Sequence, residues 1–192
     1  MFDATSEKIT DSLIHNEVIA IEDRDIYCYG IQQGLVAALN FITTLIIGCL
    51  CGMFFESIIY MISYIPLRHY AGGFHAKTPI RCYVFSIFML FSVLLAMRWV
   101  NLSSSICSLI IFLSLFFIGI FAPVADHNKP LDQMEHKVYH KRSIIIAGIE
   151  AFVAFISLAL KYETYTSCIA WCFVLAIIMM GLGMVKARLQ LK

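Results

Sequence analysis

The residues best suited to chemistry lie in one short stretch, RHYAGGFHAKTPIRC, positions 68 to 82. Thr78 followed by Pro79 reads as a helix start, a hydroxyl N-cap before a proline at the first helical position, where the missing N–H costs nothing. Cys82 then falls in the first turn of a helix that continues into the apolar run from Tyr83 to Met97. Unpaired backbone N–H groups, the positive end of the helix dipole and the neighbouring Arg81 all favour a nucleophilic thiolate there. Cys28, Cys49, Cys51, Cys107, Cys168 and Cys172 lack such a setting and read as small apolar residues in helices. A nucleophilic cysteine needs a base, and His75 lies seven residues upstream, after a Gly72-Gly73 pair that lets the backbone turn tightly. The chemistry would be acyl transfer by a Cys-His pair. Spacing alone also admits an interfacial histidine and a packed cysteine, so it leaves both readings open.

Other polar residues carry weaker signals. His136 and His140 share one helical face at i and i+4 beside Glu135, but a third ligand is not evident and a solvated helix face explains them, so no metal and no cofactor is expected. Glu56 and Glu150 fall inside apolar runs, where an acid is costly and marks a polar partner or an ion path. A small transporter or channel built on those two residues is the alternative reading. Asp126, Asp132 and Glu135 are candidates to orient His75, with no basis in sequence for choosing among them.

The elements that must position these residues belong in a membrane. The 192 residues are 60% hydrophobic and 14% charged, against about a quarter charged in soluble domains. Their net charge of +1 gives no attraction to nucleic acid. The cysteines sit in apolar stretches, unlike a secreted disulfide framework. The first 25 residues hold seven acids against Lys8 and Arg24, the reverse of a signal peptide, so the N-terminus is expected to stay where it is made. Residues 1 to 33 pattern as an amphipathic helix that lies on the membrane or leads into the first span, or as a docking face.

Measured against about 20 apolar residues per span, the chain divides into six transmembrane helices between 34 and 185. The run from Leu35 to Leu67 is too long for one span and is cut near residue 50, at Gly48 and Gly52. The later spans are expected at 79 to 100, 103 to 121, 143 to 160 and 165 to 185, with a polar segment from Pro123 to Arg142. The expected fold is therefore all-α and polytopic, a single domain over 1 to 192. This division collects twelve Lys and Arg on one side, leaving Arg98 and Lys161 on the other, so both termini and the 68 to 82 loop should be cytoplasmic. Lys77, Arg81, Lys129, Lys137, Lys141 and Arg142 belong to that cluster. The positive-inside effect explains them, and a sharper reading has them dock an acidic substrate segment.

The stretch resembles the accessory gene regulator B (AgrB) peptidases of Gram-positive bacteria. Arg68, Gly72, Gly73, His75 and Cys82 match that family's pattern at the correct spacing, just ahead of a span. YGIQQGL at 29 to 35 and APVADHNKPL at 122 to 131 look like its flanking segments. The resemblance implies a cysteine endopeptidase of the bacterial cell membrane with Cys82 as nucleophile and His75 as base. It implies a precursor peptide of the AgrD type, with an amphipathic leader and an acidic tail. Cleavage would be coupled to cyclisation, releasing a thiolactone autoinducing peptide for quorum sensing. A homodimer in membrane lipid is expected from the resemblance alone.

Overall fold

In a computed structural model, residues 2–74, 78–125 and 131–190 are described. Seven helices account for most of them: α1 (Phe2–His15), α2 (Arg24–Leu50), α3 (Phe54–Ala71), α4 (Pro79–Trp99), α5 (Ser104–Phe121), α6 (Gln133–Ala159) and α7 (Glu163–Gln190). No strand occurs among the described residues. The all-α class read from the sequence holds, and so does the cut near residue 50: α2 ends at Leu50 and the chain turns through Gly52 at φ 67°.

Five helices, α2, α4, α5, α6 and α7, are long and apolar enough to cross a membrane, which makes this a multi-pass membrane protein. The expected sixth span, α3, has 18 residues, or about 27 Å at 1.5 Å per residue, close to the thickness of the hydrocarbon core. It is less apolar because it carries Glu56, Arg68 and His69, and it packs against α2, α6 and α7. Glu56 lies in its first turn and not at mid-span.

Two expectations are corrected. The amphipathic segment is not one helix: α1 folds back on α2, which starts as early as Arg24, and buries Ser6 and Thr10. An Arg24–Asp11 ion pair at 2.9 Å closes this hairpin. The span expected to start at 143 is continuous with the helix face read at His136 and His140: α6 runs from Gln133, where Asp132 and Glu135 form a reciprocal capping box that satisfies the first-turn amides. The apolar span is thereby extended outward by almost three polar turns.

Inside lipid, apolar burial supplies little drive for helices to associate, so close packing by small residues must hold them together. Ser143, Ala147, Ala151 and Ala154 form such a stripe on α6, and Ala170 and Ala176 serve on α7. One cluster joins Leu67, Ile111, Ile118, Phe173 and Met180, across α3, α5 and α7. A second joins Tyr60, Tyr64, Leu90, Leu94, Cys172 and Met179, across α3, α4 and α7. Helix α7 belongs to both, and it is the axis on which the loop between α3 and α4 is set.

Candidate active site

The helix start expected at Thr78 is present. Thr78 is extended (φ −132°, ψ 149°), its hydroxyl accepts from the Arg81 amide at 3.3 Å, and Pro79 takes the first helical position. The Cys82 amide donates to the Thr78 carbonyl at 3.0 Å, the first complete helical bond of α4. Ser86 donates its hydroxyl to the Cys82 carbonyl at 2.9 Å. Cys82 is half-buried, whereas Arg81 is exposed.

On the other side of the loop, residues 71 to 74 are fixed from three directions. The Val124 amide donates to Ala71 and the Gly73 amide to Val124, each at 2.9 Å, so that the segment after α5 lies alongside the glycine pair. The Phe74 amide donates to the Met179 carbonyl of α7 at 2.9 Å. From the last turn of α3, the Arg68 guanidinium donates to the carbonyls of Gly72 and Phe74. Glycine is required here: Gly72 and Gly73 have φ of 74° and 114°, and a Cβ at Gly72 would lie 2.2 Å from the Val124 oxygen. The Phe74 ring meets Phe85 at 5.4 Å, one turn past Cys82 on α4, with the Lys186 ammonium 5.2 Å from its centre. Arg68, Gly72 and Gly73 are thus brought together with the start of α4. His75 and Lys77, along with Asp126 and Lys129, lie outside the described residues.

A largely apolar cavity of about 300 Å³ opens beside this assembly, lined by Tyr60, Tyr64, Arg68, Gly72, Ser86 and Tyr139 among others. Cys82 does not line it, but its helix neighbour Ser86 does. Tyr60 and Tyr64 stack with ring centres 5.1 Å apart.

The remaining candidates separate. Asp132 and Glu135 each give one carboxylate oxygen to the α6 cap. His140 donates through Nδ1 to the Ala122 carbonyl at 2.6 Å, and no group of three metal-ligating residues occurs among the described residues. Lys137 and Lys141 are exposed on α6, and Arg142 donates to the Tyr70 hydroxyl at 3.1 Å. Both carboxylate oxygens of Glu150 are buried, and among the described residues neither has a hydrogen-bond partner. Its cavity does not include Glu56. Cys107, Cys168 and Cys172 are buried, and Cys49 is exposed on the membrane helix α2, in line with cysteines expected in packed or lipid-facing helices. Sequence reasoning missed Tyr64, Phe74, Val124, Met179 and Gly183. Only Gly183 left a signal, as part of a Gly-Leu-Gly interruption in an otherwise strongly apolar helix.

A helical multi-pass membrane protein that braces a Gly-Gly loop with an arginine beside a helix-start cysteine defines the class. The chain belongs to the accessory gene regulator B family, whose profile matches residues 6–180. It is 25% identical over 166 residues to an AgrB-like protein of Clostridium perfringens, covering 82% of this chain and 76% of that one. An accessory gene regulator protein B of Staphylococcus saprophyticus is 30% identical over 97 residues, 49% of this chain and 51% of the relative. An AgrB-like protein of Listeria monocytogenes is 26% identical over 164 residues, 78% and 77% of the two chains. No solved structure matches. Family membership supports a role in the accessory gene regulator system.

Proposed function

We propose that the protein is a membrane cysteine endopeptidase that removes the C-terminal tail of an AgrD-type precursor and promotes cyclisation of the remainder to a thiolactone. The observation that carries this reading is the bracing of Gly72, Gly73 and Phe74 by Arg68 within a family match that spans the motif. The Cys82 thiolate attacks the carbonyl carbon before the tail, and the tail amine leaves with a proton from the His75 imidazolium. A thioester on Cys82 remains. The thiol of an internal precursor cysteine attacks that thioester, giving the cyclic thiolactone and returning the Cys82 sulfur. Water must be kept from the thioester, and an apolar cavity among helices suits that need.

The exposed Lys137 and Lys141, with Arg81, Lys77, Lys129 and Arg142, are proposed to dock the acidic tail. Neutralising the tail should then raise KM, with sensitivity to salt because exposed charges are screened over roughly 10 Å at 0.1 M ionic strength. The test of the reaction is to incubate the purified protein in lipid with a precursor peptide and weigh the products. Tail release plus a ring mass, lost in Cys82→Ala, supports the reading; an unchanged precursor refutes it.

A further inference from the structure

We propose that Gly183 is a positioning residue for the active-site loop, an inference that rests on the peptidase reading above. Met179 and Gly183 are four residues apart on α7, so the Met179 carbonyl is the one the Gly183 amide faces along the helix. That same carbonyl receives the Phe74 amide at 2.9 Å. Loop backbone can reach a helix carbonyl in mid-helix only where no side chain covers it. Gly183 supplies the opening: a Cβ there would lie 2.7 Å from the Gly73 Cα and carbonyl carbon and 2.8 Å from the Phe74 nitrogen.

The fit is reciprocal. A Cβ on Gly73 would meet the Met179 oxygen at 2.6 Å and the Arg68 guanidinium at 2.8 Å. The obstructing atoms are largely backbone, which cannot swing aside as the end of a flexible side chain could. Glycine is also the poorest helix former after proline, so its presence within α7 runs against local preference. Gly181, two residues earlier, has nothing within 4 Å of its Cβ position and provides an internal control. An added methyl at 183 must push Gly73 and Phe74 off α7, and the next residue in the chain is the candidate base His75.

The test compares Gly183→Ala with Gly181→Ala in the full-length protein in lipid. Cleavage of an AgrD-type precursor and hydrogen exchange at the Phe74 amide are both followed. The Gly183 variant should lose about tenfold or more in kcat with KM within about twofold, the mark of lost transition-state positioning and intact substrate binding. Gly181→Ala should match wild type in both constants. Phe74 should be protected in wild type and exchange at least about tenfold faster in Gly183→Ala. Unchanged kcat in Gly183→Ala, an equal loss in Gly181→Ala, or an unprotected Phe74 amide in wild type overturns the proposal. The last measurement decides even if Gly183→Ala fails to accumulate. A wild type as inert as Cys82→Ala is a different failure, that of the peptidase reading, and it removes the positioning role as well.

Discussion

The Arg68 guanidinium donates to the carbonyl of Phe74, and His75 is the next residue in the chain. A helix-terminal arginine thus holds the backbone immediately before the candidate base. Its second donor goes to Gly72, and Arg68 itself lines the cavity, so one planar group joins α3, the loop and the cavity wall. Arginine suits this task because its donors form a fixed fork, whereas lysine offers a point charge on a flexible stem.

Arg68→Lys should therefore keep the charge and lose the brace. A hydrogen bond from a charged group contributes about 1.5–3 kcal/mol, so losing one corresponds to a fall of roughly ten- to a hundredfold in kcat/KM. Processing assays with protein levels matched by immunoblot would measure it. A lysine variant that works at the wild-type rate would remove Arg68 from the site.

Cys82→Ala should abolish processing, and Cys82→Ser should be almost inactive because a hydroxyl is a far weaker nucleophile than a thiolate at neutral pH. His75→Ala should cost on the order of 10²–10⁴-fold, the usual contribution of a positioned acid or base. Alanine at the other six cysteines together should retain activity. The fully buried Cys168 and Cys172 make that variant less stable, since each substitution removes packed atoms. Tail release that persists in Cys82→Ala would sink the cysteine mechanism.

The orientation inferred from charge can be tested with the same six-alanine variant, in which Cys82 is the one cysteine left. A membrane-impermeant maleimide should label inverted vesicles and leave intact cells unlabelled. Reporter fusions at both termini should read cytoplasmic if α3 crosses the membrane along with the five other spans. Termini on opposite sides would mean that α3, with its Glu56, Arg68 and His69, does not cross.

What the sequence disclosed follows from how local each signal is. The α4 start was legible because Thr78-Pro79 acts within one turn, and the α2–α3 break because Gly52 sits in a run too long for one span. The outward extension of α6 was hidden because its first turns are polar, and only the Asp132–Glu135 capping box marks where they begin. The motif at Arg68, Gly72 and Gly73 could be read, but its supports on Val124 and Met179 could not. Those contacts join residues about 50 and 105 positions apart by numbering, and they use backbone groups that every residue carries.

Glu150 offers the test that separates the peptidase from a transporter. It is 8% exposed, neither carboxylate oxygen has a partner among the described residues, and its cavity of about 190 Å³ shares no lining residue with the larger one beside the candidate site. Ile62, Ser63 and Pro66 of α3 line that cavity with it. A buried polar group left unsatisfied costs about 1–3 kcal/mol, and an apolar side chain of similar shape removes that cost. Glu150→Met should accordingly raise the unfolding temperature in detergent by a few degrees, about 2–4 °C per kcal/mol for a chain of this size, and leave precursor cleavage unchanged. If Glu150→Met instead unfolds the protein or stops its activity, the carboxylate has a partner in the membrane, and the ion-path reading built on Glu56 and Glu150 returns.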